Sequence, residues 1–368
     1  MEDFNYNRLD LARRRRGLTK SALAKSVGIS PRNLNFYERG EQVPNRETLA
    51  RLASTLRFPT EFFLGPDLDE PDVEGASFRS LSRLTARERD QALGSGALAL
   101  ALGDWIDERF SLPNPDIPQY QGIEPETAAE AVRDRWGLGE RRIPNMIHLL
   151  ESHGVRVFSL AEESASVDAY SFWRGAVPYV FLNTKKTAEH SRMDAAHELG
   201  HLVLHGHGTP KGREAEHEAQ LFGAALLMPA GSIRAEAPRG VADVDRLAQA
   251  KARWNVSVAN LAYRMHRLDL LSEWQYRSVF IELNRRGRTS EPVAPGKKPL
   301  KQETSQVLRK VFESFRDEGI SLTEVARALD IRLQDVNDSV FGLVLTSLDG
   351  ADTPVPTPKR ERPRLRLV

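Results

Sequence analysis

The sequence predicts a mainly α-helical protein that carries one small antiparallel β-sheet. Residues 1–65 follow helical apolar spacing and form a compact all-helical unit, whereas the pattern becomes mixed from Glu126 onward. Strand-like runs are short, β-branched or aromatic, and separated by turn residues such as Gly175. The predicted strands are Gly154–Phe158, Ala169–Trp173 and Tyr179–Leu182.

Composition narrows the chemistry that the chain can perform. Its 368 residues allow about two to three domains. The net charge of +1 means that any attraction to nucleic acid must come from a local patch. The absence of cysteine excludes disulfides, thiol catalysis and cysteine-ligated zinc, so a metal would need His, Asp or Glu ligands. A polar N-terminus and the lack of an apolar run near ~20 residues predict a cytoplasmic chain without a membrane segment.

The first motif is a helix, a turn and a second helix within residues 18–44. Thr19 is placed to cap the first helix, and Gly28 lies where the turn needs a left-handed residue. Ser30 can cap the second helix, with Pro31 at its first position. With Tyr37-Glu-Arg-Gly and Pro44, this segment resembles the Xre/Cro-type helix-turn-helix repressors. The predicted core of this unit is Leu23, Ala24, Val27, Leu34, Tyr37, Leu49, Leu52 and Ala53.

That resemblance implies binding to double-stranded operator DNA, with a homodimer as the expected assembly. In such domains the second helix of the motif enters the major groove. The residues expected to face base edges are Arg32, Asn33, Asn35 and Phe36, and those expected to hold phosphates are Lys20, Lys25 and Arg39. The basic run Arg13–Arg16 is either a solvated helix face or a further backbone contact.

Between the two units the sequence predicts a connection. Gly65–Ser77 is acidic and carries two prolines, which predicts an extended linker. Thr85–Phe110 is predicted as one helix, because Thr85 and Glu88 have the spacing of a capping box.

The second motif is His197-Glu198-Leu199-Gly200-His201. On a helix, residues four apart share one face, so both imidazoles could bind one tetrahedral zinc ion. Glu198 would lie beside the metal and could take a proton from zinc-bound water as general base. A catalytic zinc wants a third protein ligand, and the acidic segment Arg213–Ala219 can supply a carboxylate.

The chain from about Glu126 to Leu270 resembles the ImmA/IrrE metallo-endopeptidases, through the His197–His201 motif and the downstream segment that ends at Leu-Met-Pro229. This resemblance implies an α+β zincin-like domain, zinc as the cofactor, and a glutamate as third ligand. Glu216 is the expected ligand and Glu218 the fallback. The family also implies a stress response in which a DNA-bound repressor is cleaved.

Several neighbouring residues have open roles. His205 could act behind the metal ligands, stabilise an oxyanion, or cap the last carbonyls of its helix. Tyr170 and Tyr179 are both candidate donors to a tetrahedral intermediate. Tyr179–Leu182, predicted as an edge strand, could pair with an extended peptide substrate.

The predicted organisation follows from these motifs. A DNA-binding regulator would carry a zinc endopeptidase that cleaves a repressor-type protein or itself. The alternative is a regulator whose peptidase-like domain senses a metal, ligand or peptide without proteolysis. The predicted parts are a helix-turn-helix domain (1–65), a linker with a connecting helix (66–124), the peptidase-like domain (125–275), a second linker (276–300), a small helical region (301–348) and a disordered tail (349–368).

Overall fold

A computed structural model describes residues 4–71, 85–160, 168–206, 212–238, 243–287 and 291–344. Helices dominate, and a single three-stranded sheet accompanies them in this part of the chain, which confirms the predicted mainly helical fold. Much of the first predicted linker (72–84) and the predicted tail (349–368) lie outside the described residues. Within those ranges, no helix has both the length and the apolar character to cross a bilayer.

The N-terminal unit forms as its caps predict. Thr19 Oγ1 accepts a hydrogen bond from Ala22 N at 3.1 Å, and Gly28 has φ of 72° at the turn. Ser30 Oγ accepts from Asn33 N at 3.1 Å. All eight predicted core residues are buried. The elements are α1 (Tyr6–Arg15), α2 (Lys20–Val27), α3 (Pro31–Glu38), α4 (Arg46–Leu56) and a 3₁₀ turn (Glu61–Leu64).

The next helix, α5 (Ala86–Asp107), lies between the N-terminal unit and the sheet. It begins with the predicted capping box, in which Thr85 and Glu88 bond reciprocally. A Cβ added at Gly94 would lie 3.0 Å from the Arg15 backbone, so α1 packs directly on α5. A Cβ added at Gly96 would lie 2.6 Å from the Tyr170 hydroxyl. The predicted connecting helix is therefore part of the core.

The described part of the predicted linker is held against α1. Arg8 Nε donates to the carbonyl of Pro66 at 2.6 Å, and Arg14 pairs with Glu70 at 2.6 Å. Residues 65–71 thus follow the surface of the N-terminal unit.

The sheet differs from the prediction in topology. Its strands are β1 (Arg156–Ser159), β2 (Ala169–Arg174) and β3 (Val177–Leu182), in the order β1-β3-β2. β2 and β3 form the expected antiparallel pair, but β1 runs parallel to β3, so the sheet is mixed. The prediction that Tyr179–Leu182 is an edge strand was wrong: both edges of β3 are already paired, and a peptide cannot add to it.

In the second unit, the helices Ala188–Leu204 and Arg213–Leu227 approach so closely that two contacts between them leave no room for a side chain. A Cβ added at Gly200 would lie 3.0 Å from Ala219 Cα, and one added at Gly223 would lie 3.0 Å from His197 N. Small residues at these positions therefore allow the two helices to approach each other closely. The helices of this unit are α6 (Pro125–Arg135), α7 (Met146–Ser152), α8 (Ala188–Leu204), α9 (Arg213–Leu227), α10 (Ala230–Glu236), α11 (Val244–Ala250), α12 (Val258–Arg267) and α13 (Glu273–Arg286).

The C-terminal helices α14 (Gln306–Asp317), α15 (Leu322–Ala328) and α16 (Leu333–Val340) touch both units. Glu151 of α7 accepts hydrogen bonds from the Ser305 hydroxyl and from Gln306 N, at the start of α14. On α16, Asp335 pairs with Arg16 at 2.9 Å and with Arg15.

These ion pairs decide the role of the basic run Arg13–Arg16. The Arg15 side chain is 2% exposed, and Arg13 bonds to Glu38 at 2.5 Å. Neither reading of the run, a solvated face or a DNA-backbone contact, agrees with this burial. Arg13 instead forms ion pairs within the N-terminal unit, and Arg15 and Arg16 hold this unit to α16.

Candidate metal centre and nucleic-acid interface

The His197–His201 motif lies on α8, which presents both imidazoles on one face. Their Nε2 atoms are 3.0 Å apart. From α9, the Glu216 carboxylate approaches each of these Nε2 atoms to 3.5 Å. In the described part of the chain, these three residues form the one group of His, Asp and Glu side chains close enough to hold a metal ion together.

The donor set fits a zinc ion in both distance and chemistry. Two ligand atoms that are each about 2.1 Å from a tetrahedral ion lie about 3.4 Å apart, close to the separations of 3.0 and 3.5 Å found here. Two imidazoles and one carboxylate also match the donors of catalytic zinc sites, which leave the fourth position open.

The charge states of His201 and Glu216 suit a bound cation. Burial lowers the pKa of His201 to about 4, against the opposing hydrogen bond to Glu216, so this imidazole is neutral near pH 7. Burial would raise the pKa of Glu216, but hydrogen bonds with His197 and His201 outweigh it and hold the pKa well below its usual range. For His197, burial is the largest single influence and would lower the pKa. The hydrogen bond to Glu216 and the charge of Glu198 together outweigh burial, so the pKa of His197 lies above its usual value. The site thus holds an ionised carboxylate beside imidazoles.

Glu198 is 3% exposed, and a residue of the sheet holds its carboxylate. The hydroxyl of Ser171, on β2, donates to Glu198 Oε2 at 2.6 Å. Sequence reasoning missed Ser171. The available signal was a single hydroxyl residue between the aromatic residues Tyr170 and Phe172, in the part of β2 that is buried. A polar side chain in such a position needs a hydrogen-bond partner.

Glu218, the fallback ligand, faces another residue. Its Oε2 lies 2.8 Å from His205 Nε2, and His205 Nδ1 lies 3.0 Å from His201 Nδ1. Of the two glutamates considered, Glu216 is therefore the one beside the histidine pair. His205 adjoins the back of His201, in agreement with one of its three open readings.

Tyr170 and Tyr179 do not belong to this site. Successive strand residues point to opposite faces, so Tyr170 lies on the face opposite Ser171. The register pairs Tyr179 with Phe172, and the aromatic rings stack on the α5 side of the sheet, where Tyr170 and Tyr179 are buried. Neither hydroxyl can serve as the donor that the sequence suggested.

The N-terminal unit presents a basic surface around α3. The side chains of Arg32 and Asn33 are exposed, whereas those of Asn35 and Phe36 are half-buried. The Arg32 guanidinium lies over the Phe36 ring, 5.3 Å from its centroid. Two of the three predicted phosphate-binding residues flank this helix: Arg39 is 71% exposed, and Lys20 is 48% exposed with its Nζ 2.6 Å from Glu38 Oε2. The third, Lys25 on α2, is also exposed.

Comparisons with known proteins match both halves of the chain. A peptidase-family profile, described as the IrrE N-terminal-like domain, matches residues 150–266, and a helix-turn-helix profile matches residues 9–63. Over 97 residues the chain is 35% identical to the HTH-type transcriptional regulator ImmR of Bacillus subtilis (strain 168), an alignment that covers 26% of this chain and 73% of that relative. The two profiles fall on the units where the sequence motifs lie.

Proposed function

Because this chain belongs to the HTH-type transcriptional regulators and carries an IrrE-type peptidase domain, we propose that it is a zinc-dependent endopeptidase that acts at DNA. Its substrate would be a repressor-type protein or the chain itself. One observation carries the proposal: His197, His201 and Glu216 converge on one point, and Glu198 follows directly in the same helix.

The residues divide the work of peptide hydrolysis. His197, His201 and Glu216 would hold the zinc ion. When bound, that ion would supply Lewis acidity, which polarises the scissile carbonyl and activates water. Glu198 would accept the proton of the attacking water and deliver it to the leaving nitrogen. Ser171 would hold the Glu198 carboxylate in the orientation that this transfer needs, since its hydroxyl donates to Oε2.

The N-terminal unit would bring this activity to an operator. The exposed face of α3 would enter the major groove, with Arg32, Asn33, Asn35 and Phe36 toward the bases and with Lys20 and Arg39 toward phosphates. We infer a homodimer on an inverted repeat, because paired recognition helices read two half-sites about one DNA turn apart.

One observation favours a second candidate, a non-proteolytic sensor. α1 packs directly on α5, and Arg15 and Arg16 pair with Asp335, so a change in the core would reach the DNA-binding unit without any cleavage. A sensor of this kind would need the metal ligands but would have no use for Glu198.

The test is a cleavage time course with zinc-loaded full-length protein. The chain is incubated alone and with the repressor-type proteins encoded beside its gene. Glu198→Gln should retain about one equivalent of zinc and lose about 100-fold to 10,000-fold in rate, the usual loss when a general base is removed. Glu214→Gln, an exposed charge change on α9, serves as the control and should cleave normally.

Two outcomes would contradict endopeptidase function. Cleavage by Glu198→Gln at the wild-type rate would show that a contaminating protease is responsible. The absence of cleavage of every candidate, with zinc present at one equivalent, would contradict the endopeptidase and favour the sensor instead.

A further inference from the structure

A chain of three side chains leads away from the candidate metal centre. His205, the residue that follows the last residue of α8, lies one helical turn beyond His201, so its ring adjoins the back of the His201 ring. His201 Nδ1 and His205 Nδ1 are 3.0 Å apart, and His205 Nε2 is 2.8 Å from Glu218 Oε2. Both histidines are buried, at 9% and 8% exposure.

The chemistry of imidazole gives this chain one consistent arrangement of protons. A neutral imidazole carries one donor nitrogen and one acceptor nitrogen. Nε2 of His201 faces His197 and Glu216, so it is the nitrogen that would bind the metal ion and must carry the lone pair. The proton of His201 therefore belongs on Nδ1, and this N–H donates to His205 Nδ1. The proton of His205 consequently lies on Nε2, where the Glu218 carboxylate accepts it. Protonation of His205 at Nδ1 instead would place two N–H groups face to face at the buried contact with His201, and a lone pair against the Glu218 carboxylate.

α9 thus contacts this chain of histidines at two points. α9 supplies Glu216 to the histidine pair and, two residues later, Glu218 to the far end of the chain. The orientation of His201 is therefore fixed from both sides of its ring by the same helix.

We propose that Glu218 and His205 are positioning residues that fix the ring orientation and the tautomer of His201, and so set the affinity of the site for zinc. The inference rests on the proposed function in one respect, that His197, His201 and Glu216 form a zinc site. Groups that orient a metal-binding histidine typically change metal affinity by about 10-fold to 100-fold when they are removed.

The experiment measures zinc affinity on the full chain by competition with a chromophoric chelator, without any peptide substrate. Glu218→Ala should weaken zinc binding about 10-fold to 100-fold, and Glu218→Gln should weaken it less, because the amide oxygen still accepts from His205. His205→Phe, which keeps the ring shape without its nitrogens, should weaken binding to a similar extent as Glu218→Ala. Glu214→Ala, which removes an exposed charge from the same helix, should bind zinc as tightly as the wild type.

A double variant tests whether Glu218 acts through His205. In the His205→Phe background, Glu218→Ala should cause almost no further loss, because the link is already broken. Losses that multiply in full would mean that Glu218 acts on the ion independently, and would overturn the proposal. Wild-type affinity in both single variants would overturn it as well.

A second measurement does not depend on the variants folding. Nitrogen-15 NMR of the zinc-loaded wild type should show His201 protonated at Nδ1 and His205 protonated at Nε2; His205 protonated at Nδ1 would overturn the proposal. The two hypotheses also fail separately. Tight, Glu218-dependent zinc binding without cleavage supports this inference and rejects the peptidase. Glu198-dependent cleavage with zinc affinity independent of Glu218 does the reverse.

Discussion

Arg32 and Lys20 differ in what already holds them before DNA is bound. Arg32 rests over the Phe36 ring and is otherwise open to solvent, so its planar guanidinium is available to a base edge. Lys20 lies 2.6 Å from the buried Glu38 carboxylate, which also bonds to Arg13. Part of the Lys20 charge is therefore compensated within the protein, and its contribution to phosphate binding is smaller than its exposure suggests.

Arg32→Ala should lower the affinity for operator DNA by about 1–3 kcal/mol and relax base preference at a single position of each half-site. Lys20→Ala should instead weaken binding to all DNA sequences alike. It should reduce the slope of log affinity against log salt concentration by less than the loss of one full phosphate contact would, since Glu38 already compensates part of the Lys20 charge. Binding isotherms over a salt series, on the operator and on a scrambled duplex, separate these effects. Equal losses on both duplexes for Arg32→Ala would contradict base reading.

The residues that the sequence could predict are those whose spacing alone carries the chemistry. His197, Glu198 and His201 are adjacent on one helix, so local geometry fixes their relation. Ser171 could not be found in this way, because its role depends on β2 passing beside α8. Tyr170 was misjudged for a related reason: only the strand register tells which face of the sheet receives its hydroxyl.

At the scale of elements, the close packing of α8 on α9 determines where Glu216 stands. Gly223 allows α9 to approach the backbone of His197, and Gly200 allows the reciprocal approach to Ala219. A Cβ at Gly223 would also lie 2.9 Å from Met193 Cε, a side-chain end that can move, but the backbone atoms at both contacts cannot yield as easily. A shift of α9 would therefore carry Glu216 away from the histidine pair.

Gly223→Ala should weaken zinc binding and destabilise the fold. Alanine would gain up to about 1 kcal/mol in helix propensity, but an added Cβ would meet backbone atoms, and overpacking of this kind costs about 1–3 kcal/mol. Zinc affinity and the urea midpoint should therefore both fall. Ala224→Gly, the neighbouring position with the opposite change, should lower stability and leave zinc affinity close to that of the wild type. An unchanged affinity in Gly223→Ala would contradict the role given to this contact.

The helices followed from the sequence because caps and apolar spacing are local signals. α5 begins directly after its capping residue Thr85 and ends at Asp107, short of the predicted limit at Phe110. The topology of the sheet did not follow. The parallel pairing of β1 with β3 depends on β2 crossing to the far side of β3, and period-two alternation contains no information about that order.

At the scale of the whole molecule, the C-terminal helices join the two units. α16 contributes Asp335, whose side chain is 1% exposed, to Arg15 and Arg16 of the N-terminal unit. The start of α14 is held by Glu151 of α7. The small helical region predicted at 301–348 therefore forms a brace between the DNA-binding unit and the peptidase domain.

Asp335→Ala should lower the free energy of unfolding by about 1–3 kcal/mol, because Arg16 loses its carboxylate partner while Arg15 keeps its 3.1 Å pair with Asp338. The control is Glu313→Ala, which breaks the exposed pair with Arg309 on α14 and should cost less than about 1 kcal/mol. Urea unfolding of both variants provides the comparison. A loss in Asp335→Ala no larger than in the control would contradict the brace.

Glu151 should make stability depend on pH. Burial raises the pKa of its carboxyl group from 4.5 to about 7, so between these values the folded chain retains a proton that the unfolded chain releases. Stability should therefore fall as pH rises from about 4.5 to about 7, by about 3 kcal/mol in total, and remain level above that window. Urea unfolding at a series of pH values should show this slope in the wild type. Its persistence in Glu151→Gln would assign it to another group.

The brace also has a consequence for biosynthesis. Arg15 and Asp335 are separated by 320 residues, and a ribosome that adds about 5–20 residues per second needs about 15–60 s to cover that distance. During this interval the nascent helix-turn-helix can close its own core, but Arg15 and Arg16 have not yet met Asp335. Until then, these two arginines lack the carboxylate that they share in the folded chain. The charge of this face of the DNA-binding unit is therefore balanced only after α16 has been synthesised.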